Sequence, residues 1–123
     1  MKIRQDHEPP AATSVKGYRY HHLGIPTGKI KPNEIYLEEY KMYVSGFSTS
    51  EYGIEWMRFE EDSPISDIIK RIPHIAFEVD NLEKAIEGKE MIGPITSPSE
   101  GIRVAMILEN GAPIELMQFN KKS

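Results

Sequence analysis

Apolar and polar residues alternate along several short segments of the chain, a period of two that is typical of strands with one buried face. This alternation predicts strands over residues 19–27, 52–59, 74–79, 102–108 and 113–119. Residues 35–47 contain Tyr, Val and Phe, which favour strands, so we predict extended chain there, with a bend at Ser45-Gly46. The pattern therefore indicates a protein built mainly from strands.

One short helix interrupts these strands. Asp80 is followed by Glu83 at the spacing of a capping box, which predicts Asp80 as the N-cap. Leu82 and Ala85 then recur at helical spacing, and Gly88 is typical of a helix end. The second half of the chain thus contains one amphipathic helix.

Turns and loops divide the remaining sequence. Asn110-Gly111 is the preferred pair for a two-residue hairpin. We expect a turn-rich loop at 94–101, a further short strand within 89–95, and a linker at 60–73 that contains Pro64. The segment at 28–34 is short and contains Pro32, so we predict at most a single helical turn there.

The chain contains an internal repeat. The string HLGIPT, which begins at His22, is similar to HIAFEV, which begins at His74, and Ile-Glu-x-Met-x-Phe occurs around Glu55 and again around Glu115. The order His, Glu, His, Glu indicates duplication of a small unit. We predict a flexible arm over 1–16 and one domain over 17–123, with modules at about 17–60 and 73–120 joined by a linker at 61–72.

The repeated residues form a candidate metal site. Glu55 and Glu115 each share a strand face with Met and Phe, and a carboxylate among apolar neighbours is costly unless a positive group pairs with it. Each residue taken alone is an ordinary strand residue, but the repeat favours His22, Glu55, His74 and Glu115 meeting at one divalent cation. Imidazole nitrogen and carboxylate oxygen suit Ni, Zn, Co, Mn or Fe(II).

His21 stands next to the first candidate ligand and has to be distinguished from it. His22 is preferred because an apolar residue and a small residue follow it, as they follow His74. Because successive side chains of a strand point to opposite faces, we expect His21 to point away from the site and to play a structural or supporting part.

Composition excludes several classes of protein. Among 123 residues there are 15 Lys and Arg against 19 Asp and Glu, a net charge of −4 that argues against nucleic-acid binding. The absence of cysteine excludes disulfides, thiolate metal sites and cysteine nucleophiles. No apolar run is long enough to span a membrane, and we expect a cytoplasmic protein.

Four segments of the chain resemble the vicinal-oxygen-chelate superfamily: YHHLGIPT, YGIEWMRF, IPHIAFEVDNLEKAI and GAPIELMQF. The resemblance extends over residues 18–119. The superfamily includes glyoxalase I, methylmalonyl-CoA epimerase, extradiol dioxygenases, fosfomycin-modifying enzymes and bleomycin-binding proteins. It implies an α+β fold of two βαβββ modules whose curved sheet surrounds a metal cleft, and here the first module has a reduced or missing helix.

The glyoxalase-like pattern within this superfamily implies roles for the repeated residues. One His comes from the first strand of each module and one Glu from its last strand, which gives His22, Glu55, His74 and Glu115 as ligands of a divalent metal. Glu55 or Glu115 would act as the catalytic base. The resemblance thus implies a lyase or isomerase that acts on a small oxygen-chelating substrate through an enediolate-type intermediate, and a homodimer.

Three alternative functions stay open at this point. An extradiol-type dioxygenase needs only two His and one Glu, with open positions on Fe(II). A fosfomycin-type transferase needs the same three residues, and a non-enzymatic binder of the bleomycin-binding kind needs no ligand set. A required Glu55 would therefore favour the isomerase or lyase over the dioxygenase and the transferase, and metal analysis separates the non-enzymatic binder.

Overall fold

The computed structural model describes residues 3–120 of the chain. Within them the strands are β1 Arg19–Pro26, β2 Ile35–Leu37, β3 Met42–Ser45, β4 Ile54–Phe59, β5 His74–Glu78, β6 Glu90–Met91, β7 Thr96–Ser99, β8 Ile102–Glu109 and β9 Ala112–Phe119. The α-helices are α1 Ala11–Ser14, α2 Asp67–Arg71 and α3 Leu82–Ile86. All three are short, so the described fold is mixed α+β with strands dominant.

The strands form one large curved sheet in the order β2-β3-β4-β1-β5-β9-β8-β6, and β7 also pairs with β8. In each half the first strand lies parallel to the last, β1 beside β4 and β5 beside β9. The two halves meet where β1 and β5 run antiparallel. This arrangement confirms the predicted α+β fold of two βαβββ-type modules, the first of which lacks its helix in the described chain.

The two faces of the sheet have different cores. On one face α3 packs through Leu82 and Ala85 against Phe77 and Leu116. Because neighbouring residues of a strand alternate in direction, His74 and Glu115 lie on the opposite face. The linker helix α2 lies on that second face, where its Ile69 packs against Met42 of β3 and Met57 of β4.

Several elements differ from the sequence-based expectation. The extended segment predicted at 35–47 is a hairpin, in which a 3-10 turn over Glu38–Tyr40 and a left-handed Lys41 reverse the chain between β2 and β3. The loop predicted at 94–101 contains β7, and the linker predicted at 60–73 contains α2. The exposed residues of β7 do not alternate in polarity, which is why the sequence pattern missed this strand.

The helix cap also differs by one position. Asn81 is the N-cap of α3, and its side-chain oxygen accepts a hydrogen bond from the Lys84 backbone N–H at 3.0 Å. Asp80, which the sequence favoured, instead lies 2.9 Å from the guanidinium of Arg19. The hairpin turn, in contrast, is confirmed, because Asn110 and Gly111 both have positive φ, as a two-residue hairpin of the preferred type requires.

Candidate metal centre

The register of the central strands brings the four repeated residues to one face. His22 of β1 lies opposite Ala76 of β5, which lies opposite Glu115 of β9. Two residues along, His74 of β5 lies opposite Gly24 of β1, which in turn pairs with Glu55 of β4. The site is therefore two parallel rows across the sheet, each with a His, a small residue and a Glu.

The glycine in the middle of the second row makes room for the imidazole of His74. A Cβ on Gly24 would lie 2.8 Å from both ring nitrogens of His74 and closer still to Cε1. Nδ1 of His74 is buried and has no hydrogen-bond partner among the described residues, so at this edge the ring is positioned by packing against Gly24 and not by a hydrogen bond. At Gly24 the His-x-small pattern thus encodes a close approach between neighbouring strands.

Three donor atoms converge at the centre of these rows. Nε2 of His74 lies 2.9 Å from Oε1 of Glu115, and Nε2 of His22 lies 3.3 Å from the same oxygen. His22, His74 and Glu115 each offer one ligand atom within 4.8 Å of the others, and both imidazoles are only 4% exposed. Two imidazole nitrogens and one carboxylate oxygen are donors that fit a divalent transition metal.

Glu55 lies at the margin of this group. Its Oε1 is 3.5 Å from Nε2 of His22, and it is not one of the three residues whose ligand atoms cluster. The predicted four-residue set is therefore gathered at one place, with Glu115 in contact with both histidines and Glu55 close to only one of them.

The two carboxylates differ in the direction of their pKa shifts, which is downward for Glu115 and upward for Glu55. Burial favours the neutral form of Glu115, but hydrogen bonds from His22 and His74 outweigh it and lower the Glu115 pKa to about 2. Burial raises the pKa of Glu55, with a smaller rise from the charge of Glu115 and partial compensation by the histidines. Burial lowers the pKa of His22, but hydrogen bonding and charge from Glu115 exceed this effect, and the net shift is upward.

The prediction for His21 is wrong about its direction. The pairing of β1 with β5 shifts register between Tyr20 and His22, a bulge that turns His21 to the same side as His22. The His21 ring stacks on Phe47 with centroids 5.1 Å apart, and its Nδ1 lies 2.8 Å from Nδ1 of His22. Strict alternation failed here because a bulge adds one residue to the strand.

A cavity of about 890 Å³ opens above the donor atoms. Its floor is the sheet face that carries the site, and its walls come from the turn at 37–40, from residues 64–69 around α2, and from 92–98 around β7. Most lining side chains are apolar. A volume of this size and an apolar wall around a few convergent polar groups are typical of small-molecule sites.

Comparisons with known proteins support the fold. No protein-family model matches the chain, and no curated protein matches it. Among solved structures, a hypothetical protein from Bacillus halodurans is 23% identical with a TM-score of 0.66, covering 88% of this chain and 99% of that one. Methylmalonyl-CoA epimerase from Mycobacterium tuberculosis is 17% identical with a TM-score of 0.51, covering 85% of this chain and 88% of its own.

The chain therefore shares its fold with these two proteins, and its cavity floor carries His22, His74 and Glu115, whose ligand atoms lie close enough together to hold a metal ion. At such low identity these neighbours support the architecture and not an activity. In the part of the chain that the structure describes, no helix is long and apolar enough to cross a membrane.

Proposed function

We propose that the chain is a metal-dependent enzyme of the vicinal-oxygen-chelate type, an isomerase or lyase that moves a proton beside a carbonyl group. Its substrate would be a small molecule with oxygen atoms on two adjacent carbons. The observation that carries this proposal is the convergence of His22, His74 and Glu115 at the floor of a large apolar cavity, with Glu55 beside them.

The ligand roles follow from the contacts. His22, His74 and Glu115 would hold the cation, because their donor atoms already lie together and are shielded from solvent. A divalent cation bound there supplies Lewis-acid stabilisation of negative charge that develops on the substrate oxygens. Glu115 is fixed by two histidines and is therefore the less mobile carboxylate.

Glu55 is the better candidate for the base. It approaches only His22, and at 3.5 Å, so its carboxylate is freer to turn toward a substrate than that of Glu115. Glu55 would take a proton from the carbon beside the carbonyl while the electron pair moves onto the carbonyl oxygen. Return of this proton to the other face of the same carbon, as the electron pair moves back from the oxygen, completes an epimerisation. Its return to the adjacent carbon, together with transfer of the hydroxyl proton to the former carbonyl oxygen, completes an isomerisation, and neither route gains or loses atoms.

A second candidate function, an extradiol-type dioxygenase, is favoured by one observation. The clustered donor atoms belong to two histidines and one carboxylate, the set that non-haem Fe(II) oxygenases use, and Glu55 lies outside this cluster. A fosfomycin-type transferase has less support, since no Lys or Arg lines the described cavity to bind a phosphonate. A bleomycin-type binder does not account for the donor set.

Substitution of each carboxylate separates the two candidate functions. Purified protein should carry a divalent metal by elemental analysis, and Glu115→Gln should lose most of it. Glu55→Gln should retain the metal and lose about 100- to 10,000-fold of the proton-transfer rate, the usual contribution of a general base. The assay is deuterium exchange, followed by NMR, into α-hydroxyketones and hemithioacetals, which carry oxygen atoms on two adjacent carbons.

The control is Glu109→Gln, which removes an exposed carboxylate at the end of β8 and should leave metal content and rate unchanged. Full exchange activity in Glu55→Gln would contradict its role as base. Oxygen consumption with catechols by Glu55→Gln at the wild-type rate would favour the dioxygenase.

We also propose that the protein is a homodimer, because so small a domain buries a limited share of its surface. Light scattering would measure the molar mass of the assembly in solution.

A further inference from the structure

We propose that the substrate has an uncharged apolar body, aryl or alkyl, and carries no phosphate, sulfonate or coenzyme A group. This inference rests on the proposed function, because it concerns the cavity above the same donor atoms. It goes further by naming the chemistry that this cavity accepts and the chemistry that it rejects.

The wall of the cavity consists mainly of apolar side chains. Four methionines, Met42, Met57, Met106 and Met117, line the sheet side, and Phe47 and Phe59 lie among them. Thioether side chains are unbranched and polarisable, so they adapt to apolar ligands of varied outline. Such a wall stabilises an apolar ligand by burying its surface and offers few groups to a polar one.

The charge of the cavity lining also disfavours an anionic substrate. Of the described residues that line the cavity, none is Lys or Arg, and the polar ones away from the donor group include Glu39, Ser66 and Thr96. Glu55 and Glu115 together offset the two charges of a divalent cation. An additional phosphate or sulfonate on the substrate would therefore lie in an apolar cavity without a partner, which is strongly unfavourable.

The basic residues that lie next to the lining segments in sequence already contact other groups of the chain. Lys41 lies 2.6 Å from Asp62, Arg58 pairs with Glu34 at 2.7 Å, and Lys70 donates to the Ser63 carbonyl at 2.6 Å. Arg103, beside Val104, pairs with Glu83. These side chains are already engaged, so they are not poised to receive the phosphates of a coenzyme A tail at the cavity mouth.

Two chelators with the same pair of adjacent oxygens test the inference. Metal content is first measured by elemental analysis, and metal-loaded protein is then titrated calorimetrically with 4-tert-butylcatechol and with catechol-3,5-disulfonate. We expect the butyl compound to bind at least about tenfold more tightly, a difference of about 1.4 kcal/mol. Equal or tighter binding of the disulfonate would overturn the inference and leave the metal site intact.

A charge added to the wall provides a matched pair of variants. Thr96 lines the cavity, whereas Ser99, also exposed in β7, does not. Thr96→Lys should reduce or reverse the difference in affinity between the butyl compound and the disulfonate. Ser99→Lys should leave this difference unchanged. The same effect from both variants would contradict a role for the cavity wall. Wild-type protein that retains no metal would instead overturn the proposed function, and with it this inference.

Discussion

At the scale of single residues, the site depends on space as much as on ligands. Gly24 and Ala76 occupy the centre of the two rows, and at Gly24 even a Cβ would meet the imidazole of His74 on the next strand. Interiors are close-packed, so a single added methyl at such a position is felt by its neighbours. The position of His74 is thus encoded partly by the residue opposite it.

Gly24→Ala should therefore weaken metal binding although it removes no ligand. The new Cβ would overlap the His74 ring and displace its Nε2 from Glu115. We expect a loss of at least about tenfold in metal affinity, as for other disturbances of groups that orient ligands. Calorimetric titration with Zn or Ni measures it. Gly28→Ala, where a Cβ meets nothing within 4 Å, is the control, and equal affinities in both variants would contradict the argument.

His21 should act as a positioning residue for His22. When Nε2 of His22 faces a cation, its proton lies on Nδ1 and is donated to Nδ1 of His21, 2.8 Å away. His21→Phe keeps a ring against Phe47 but removes this acceptor, so we expect about 10- to 100-fold weaker metal binding. His21→Gln retains an acceptor oxygen and should recover part of the affinity. Wild-type affinity in His21→Phe would show that only the stacking matters.

The sequence predicts which residues form the site but not how each of them is oriented. The four repeated residues were recognisable because duplication placed each His and each Glu at matching positions of two strings. The turn of His21 toward the site was not recognisable, because a bulge depends on the pairing of two strands distant in sequence. The separation of Glu55 from the other three is likewise a matter of tertiary geometry.

At the scale of elements, alternation was informative wherever one face of a strand is buried. β1, β4, β5, β8 and β9 each have such a face, and each lies within two residues of its predicted bounds. β2 and β7 lack this contrast, so the sequence predicts extended chain over 35–47 without its hairpin turn and a loop in place of β7.

The cap of α3 offers a test of which residue begins this helix. Asn81→Ala removes the side-chain acceptor of the Lys84 N–H and should lower the free energy of unfolding by about 0.5–2 kcal/mol. Asn81→Asp keeps an acceptor and should remain close to wild type in urea denaturation. Asp80→Ala, at the position favoured by the sequence, removes only an exposed contact with Arg19 and should lower stability less than Asn81→Ala; the reverse order would contradict the observed cap.

At the scale of the whole molecule, the symmetry of the sheet matches the repeat in the sequence. Each half places its first strand parallel to its last, and the two first strands pair antiparallel at the centre. A repeat in sequence predicts this kind of symmetry. The cavity could not be predicted in the same way. Its walls come from three segments, at 37–40, 64–69 and 92–98, that lie outside the repeated strings around the His and Glu residues.

The candidate ligands also join the two halves, since His22 belongs to the first module and His74 and Glu115 belong to the second. A cation bound only by the folded chain stabilises it by about 2.7 kcal/mol when free metal is about 100 times Kd. Addition of Zn or Ni should therefore raise the melting temperature measured by calorimetry by several degrees, and EDTA should reverse the rise. His22→Ala should abolish this response, whereas His7→Ala, in the N-terminal segment, should retain it. A response that survives in His22→Ala would mean that the metal binds elsewhere and that the two modules are held together by the sheet alone.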